Sequence, residues 1–227
     1  MKKTWKDIDW KVSTAQAREM QSQLRSQVIL QNQLPSPLQT VAGVDVGFED
    51  NYRITRAAVA VLRYPDLELL EYRIARCETC FPYVPGFLSF REIPAILPAL
   101  EQLSLTPDVL LCDGQGIAHP RRLGIASHLG VLTGIASIGV AKTRFIGEHG
   151  PVPVEKGGYA ELLDGDEVIG AVLRTRVGVK PIYVSAGYKV DLPAALDVVM
   201  ACVGKYRLPE TTRWADRIAS DKTGRFG

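Results

Sequence analysis

The sequence predicts a single α/β domain built on one mixed central sheet flanked by helices, and three observations carry that prediction. Strand-like runs at 40–48, 54–63 and 67–76 follow one another with short turns between them, and links that short force an antiparallel meander. The apolar run at 108–113 lacks alternation, as a strand buried on both faces does. Helix-like segments then separate it from short runs at 137–140, 167–174 and 181–186, the βα alternation of a layered fold.

Taken in order, residues 12–34 are rich in Gln, Arg and Leu and predict an outer, partly exposed helix ended by Pro35-Ser36-Pro37. Tyr64-Pro65-Asp66 supplies the turn between the second and third strands. Pro82 to Gly86 is a break, and a helix from about Ser89 to Leu103 is expected to be interrupted or restarted at Pro94 and Pro98. Pro120 suits the first turn of a helix through about Val131. Asp191 and Pro193 cap and open a helix to about Val203, closed by Gly204, and a last helix begins near Pro209. The single domain spans 1–227, with residues 1–12 and 221–227 expected to be flexible ends.

Composition narrows the class. A chain of 227 residues, 46% hydrophobic and 23% charged, fits one globular domain. No run approaches the ~18 apolar residues of a membrane span, and the basic N-terminus lacks the apolar stretch of a signal peptide. Cys77-Glu78-Thr79-Cys80 has no second pair to complete a zinc site. Nor does it stand at a helix start that would activate a thiol. Packed, reduced thiols are expected, which places the chain in the cytoplasm. A net charge of +2 means that nucleic acid, if bound, is held by a local basic patch rather than by the global field.

Two apolar strands end on aspartates followed at once by glycine-rich backbone: Asp45 in Val41–Phe48 and Asp113 in Val109–Gly116. An unpaired buried carboxylate costs several kcal/mol, so packing explains neither well. Strand alternation puts Asp45 on a face with Val41, Gly43 and Gly47, small enough for a ligand to lie against. Two carboxylates ~4 Å apart repel by roughly 4 kcal/mol at an effective dielectric near 20, unless a cation or proton is shared. Hard oxygen donors point to Mg²⁺, with Mn²⁺ as a substitute. The plainer alternative is a turn cap and a salt bridge. Glu92 and Asp216 could complete an acidic cluster; otherwise they are solvated helix charges.

The second aspartate runs into a cationic loop. Gly114-Gln115-Gly116 starts like a dinucleotide fingerprint but has His119 where the third glycine belongs. Arg121 and Arg122 near a helix N-terminus oppose the helix dipole, so an anion site is the better reading. Lys142 is a second phosphate candidate, and His119 is open between substrate contact and a structural hydrogen bond. In Pro82-Tyr83-Val84-Pro85-Gly86 the prolines stiffen Tyr83. Such a ring can wedge into a base stack, where stacking is worth ~1–3 kcal/mol per base, comparable to the cost of extruding one. Divalent metal beside cations suggests phosphodiester hydrolysis, hence a nuclease.

These blocks, with Phe87-Leu88-Ser89-Phe90-Arg91-Glu92, Gly139-Val140-Ala141-Lys142 and Leu208–Asp216, resemble the endonuclease V family over about residues 15–220. The resemblance implies an RNase H-like fold and Mg²⁺-dependent repair of DNA containing deaminated bases such as deoxyinosine. It implies a cut at the second phosphodiester bond 3′ to the lesion, leaving 3′-hydroxyl and 5′-phosphate ends. It makes Asp45 and Asp113 metal ligands, Glu92 and Asp216 further catalytic carboxylates, Lys142 a catalytic cation and Tyr83 the wedge. Gly86, Leu88, Gly114, Gly116 and Gly124 would shape a pocket reading a flipped base. Gln115 and Asp216 stand where other members carry histidine. A monomer is expected, with inosine-containing RNA as a second substrate left open. The rivals are an RNase H-like nuclease acting on RNA, hybrids or junctions without inosine dependence, and a non-catalytic binding module.

Overall fold

The computed structural model describes residue 6 and residues 8–226. The expected meander forms from β1 (Thr40–Glu49), β2 (Ile54–Arg63) and β3 (Leu69–Glu78), paired antiparallel. β4 (Val109–Cys112) and β5 (Ala136–Ala141) run parallel to β1. β6 (Tyr159–Asp164), β7 (Glu167–Leu173) and β8 (Ile182–Tyr188) are antiparallel neighbours, with β8 joined to β5. The sheet order is β3-β2-β1-β4-β5-β8-β7-β6. β6 went unrecognised in the sequence because Tyr-Ala-Glu-Leu-Leu-Asp buries Leu162 alone.

Five helices complete the layers: α1 (Thr14–Arg25), α2 (Leu88–Glu101), α3 (Ile125–Thr133), α4 (Leu192–Ala201) and α5 (Glu210–Ala219). Alternation along the strands splits the core in two. Ala42, Val44, Val59, Leu110 and Cys112 face α2 and α3, while Val41, Leu111, Ile138 and Val184 face α4 and α5. Each fully buried aliphatic side chain contributes roughly 1.5–3 kcal/mol, so both layers are needed to hold the sheet.

Three sequence expectations change. α1 ends at Arg25 rather than near residue 34, because Ile29 and Gln33 pair through backbone with Lys189 at the end of β8. α2 runs unbroken through Pro94 and Pro98. Proline at 94 cannot donate to the Phe90 carbonyl, and the Cys80 thiol donates to it instead at 4.0 Å. Pro120 does not open α3, which starts five residues later with Gly124 as its N-cap. Within the ends expected to be flexible, Asp9, Lys11 and residues 222–225 are exposed, while Trp10 lies edge-on to Phe90 and Phe226 edge-on to Tyr72. The remaining terminal residues, 1–5, 7 and 227, lie outside the described residues. Among the described residues no helix is long and apolar enough to cross a membrane.

Candidate active site

Parallel register brings the two strand-end aspartates side by side. Val44 pairs with Cys112, so Asp45 and Asp113 are the next residues along, and the Asp113 N–H donates to the Val44 carbonyl at 3.2 Å. The small face around Asp45 is not open to a ligand. Helix α5 lies on it so closely that a Cβ on Gly43 would stand 1.9 Å from the Thr211 carbonyl oxygen, and one on Gly47 2.5 Å from that of Ala219. This packing sets the exposed Asp216 where its charge acts on Asp45. From the opposite layer α2 delivers Glu92, 9% exposed, which feels the charges of both aspartates. Four carboxylates thus gather from two strands and two helices at one end of the sheet.

Their electrostatics show a site short of positive charge. Burial, and then the Asp113 charge, push Asp45 up to about 8, although the Val46 N–H and Lys142 pull the other way. Burial followed by the charges of Asp45 and Asp113 pushes Glu92 to about 8 as well. Lys142 leaves the end of β5 and sets its Nζ 2.5 Å from Asp113 Oδ2. Burial would lower its pKa, but that hydrogen bond and the surrounding aspartates hold it above the ordinary lysine value. Among the described residues no three acidic, histidine or cysteine side chains are grouped tightly enough to hold an ion unaided. The donors nonetheless fit a hard divalent cation such as Mg²⁺, which commonly takes one or two carboxylates and completes its shell with water and phosphate oxygens.

A cavity of about 340 Å³ opens onto this cluster, within the ~300–1,000 Å³ of small-molecule sites. Glu92, Asp113 and Lys142 line one part of it, and Gly86, Leu88, Gly114 and Gly124 another, with Tyr83 at the rim. Tyr83 is 69% exposed. Gly116, expected in the pocket, is not a lining residue: it marks where the loop crosses β8, and a Cβ there would stand 2.1 Å from the Ala186 carbonyl oxygen. Thr143, Arg144 and Phe145, which no sequence signal marked, form a further wall. An open depression of about 650 Å³ bounded by Glu148, His149 and Asp164 shares no residue with this cavity.

The cationic loop is built differently from the expected anion site. Arg122 bonds Asp164 at 2.7 Å and Glu167 at 2.7 and 2.9 Å. Arg121 donates to the Gly86 carbonyl at 2.6 Å and to Gln21 Oε1, and lies 4.2 Å over the Phe87 ring. Neither guanidinium lines the cavity, and neither belongs to a helix N-terminus. His119 lines it, but its ring is also structural. Nδ1 accepts from the Arg121 N–H at 3.2 Å, so the proton sits on Nε2, which donates to Gly86 O at 3.1 Å. Burial, followed by the Arg121 charge, lowers its pKa to about 4. Gln21, fully buried on α1, adds a third donor to the same carbonyl at 3.0 Å. Gly86 has φ +83°, a conformation glycine adopts without strain, and these donors fix the rim loop through it. The four cysteines are free thiols, and burial raises Cys77 to about 11, so the C-x-x-C is packing.

Carboxylates collected with an ammonium at the carboxyl ends of parallel strands suit phosphodiester chemistry, and the fold with this site defines an RNase H-like nuclease. The endonuclease V family model matches residues 22–217. The chain belongs to that family. It is 61% identical over 210 residues to endonuclease V of Rippkaea orientalis, covering 92% of this chain and 91% of that one. The crystal structure of endonuclease V from Streptomyces avermitilis matches with a TM-score of 0.88 and 46% identity over 92% of each chain. Endonuclease V of Ciona intestinalis, solved with a 23mer DNA containing an inosine followed by a ribo-adenosine, matches with a TM-score of 0.81. That pair is 29% identical, over 92% of this chain and 97% of the other.

Proposed function

We propose that this chain nicks DNA at deaminated bases, cutting the second phosphodiester bond 3′ to a deoxyinosine and leaving 3′-hydroxyl and 5′-phosphate ends. One observation carries the reading: a single cavity joins a backbone-lined recess under Tyr83 to the carboxylates and ammonium that suit phosphate hydrolysis. The Ciona relative's inosine-containing DNA supports it.

In this reading Tyr83 enters the stack beside the lesion, and the extruded base is held between Gly86–Leu88 and Gly114–Gly124. Asp45 and Asp113 hold Mg²⁺, with Mn²⁺ able to replace it, and Glu92 and Asp216 complete the acidic shell. Bound there, the metal supplies charge for the phosphate and a water acidic enough to attack it. The Lys142 ammonium, already pinned by Asp113, faces the negative charge that grows on the phosphate. His119, neutral at working pH, keeps the rim loop in place and moves no proton. Inosine in RNA would enter the same recess, the 2′-hydroxyl deciding preference.

The test is a labelled duplex with one deoxyinosine, incubated with Mg²⁺, Mn²⁺ or EDTA, the nick mapped and its ends identified. A 3′-displaced nick with a 5′-phosphate, abolished by EDTA, supports the reading. A nick at the lesion itself, or one that survives EDTA, contradicts it.

A further inference from the structure

A second surface lies at the catalytic end of the sheet. Ala141 pairs with Tyr183 and Leu173 with Ile182, so the loop 174–181 joins β7 to β8 at the end where Lys142 leaves β5. There a groove of about 490 Å³ is lined by Arg176, Val179, Lys205, Tyr206, Arg207, Leu208 and Arg213. Four of its seven residues are cationic and none is acidic, in a chain whose net charge is only +2. Glu210, the carboxylate that opens α5, is held by Arg213 at 2.7 and 2.8 Å.

The groove is built rather than incidental. Thr175 Oγ1 donates to the Arg207 carbonyl at 2.7 Å, and the Arg207 guanidinium donates to the Lys180 carbonyl at 3.4 Å, tying the two segments together. The Arg213 guanidinium lies 3.6 Å over the half-exposed Tyr206 ring. Arg176 has no ion-pair partner among the described residues, and Lys205 is exposed. Such a strip of cations matches a regular polyanion.

We propose that this groove docks the phosphodiester backbone of the substrate away from the scissile bond, a site that rests on the nuclease reading above. From β4, which ends just before Asp113, to β7, whose end leads into the loop carrying Arg176, is three strand spacings, roughly 14 Å at ~4.8 Å each. With an axial rise of about 3.4 Å per nucleotide, the groove meets the strand about four nucleotides from the cut.

The test compares the wild type with Arg176→Ala/Lys205→Ala on a long deoxyinosine duplex over a range of salt. Lys189→Ala removes a charge at the far end of β8 as control. The double variant raises KM about tenfold, the effect falling on KM rather than kcat, and its log–log salt slope drops by about 2, one unit per lost phosphate contact. Arg176→Lys/Lys205→Arg, which keeps both charges, restores the wild-type slope. On a duplex trimmed to about two nucleotides beyond the cut, too short to reach, wild type and double variant converge. Wild-type KM and salt slope in the folded double variant, or an equal loss in Lys189→Ala, overturn the proposal. If the wild type cuts undamaged DNA equally, base recognition fails instead, and the salt slopes on that DNA still score the groove.

Discussion

Lys142 Nζ stands 2.5 Å from Asp113 Oδ2, so the cation of the site is held by the carboxylate that is itself meant to bind metal. The pair keeps the ammonium charged, and in the proposed reaction it would face the phosphate. Lys142→Met is expected to lower kcat by about 10²–10³, the usual cost of losing one donor to developing charge. Single-turnover cleavage with a matched unfolding midpoint checks this. A tenfold loss or less in a folded variant would assign Lys142 to structure.

Gln21 controls the pocket rim from a helix remote in sequence. Replacing it with alanine removes one of the three donors to Gly86 O and the acceptor of Arg121 Nε, leaving that half-buried N–H unpaired. Such a group costs ~1–3 kcal/mol. Gln21→Ala should lower the unfolding free energy by that order and raise KM for an inosine duplex. Denaturant titration and steady-state kinetics read both effects.

Tyr83 is exposed and its side chain makes no hydrogen bond among the described residues. Tyr83→Ala should leave stability within about 0.5 kcal/mol. It should cut duplex cleavage more than cleavage of single-stranded inosine DNA, which needs no strand separation. Equal losses on the two substrates would remove the wedge role.

Gly43 carries the approach of α5, and with it Asp216. A Cβ there collides with the Thr211 carbonyl, and overpacking of a rigid contact typically costs ~1–3 kcal/mol. Gly43→Ala is therefore expected to lower both stability and activity, whereas Gly134→Ala, whose Cβ meets no atom within 4 Å, should spare activity. Its positive φ of 76° still strains that backbone somewhat.

The buried carboxylates make metal-free stability fall with rising pH. Asp45 and Glu92 are raised to about 8 in the fold, against ~3.9 and ~4.3 unfolded. The folded chain therefore holds protons that the unfolded chain has released. Their favourable contribution is complete below about pH 4 and is lost as pH rises through about 8. His119 and His128, lowered to about 4 and about 3 by burial, act oppositely and cost stability as pH falls below about 6.5. Melting in EDTA should show a decline from pH 6 to 9 that Asp45→Asn reduces. The gain on adding Mg²⁺ should be larger at pH 9 than at pH 6.

Sheet and acidic site were legible for different reasons. The meander announces itself through closely spaced strand runs and turn chemistry, β4 through an unbroken apolar run, and Asp45 and Asp113 through the cost of placing charge at the end of buried strands, whereas Glu92 was marked as catalytic only by the family resemblance. The roles of Arg121 and Arg122 were not legible. Their partners stand far along the chain: Gln21 is 100 residues from Arg121, and Asp164 and Glu167 are 42 and 45 from Arg122. Local reasoning sees only two cations without partners. The small face of Gly43 and Gly47 was visible, but nothing local tells a helix backbone from a ligand as its occupant. The short α1 fails for the same reason, since the backbone partner of Ile29 and Gln33 is Lys189.

The most direct test of the whole account is the single-turnover rate on a duplex with one deoxyinosine against the same duplex without it, with Mg²⁺, for wild type and Asp113→Asn. Strong preference for the lesion is expected in the wild type, and loss of cleavage with lesion binding retained in the variant. Equal rates on both duplexes, or a variant as active as the wild type, would contradict the account.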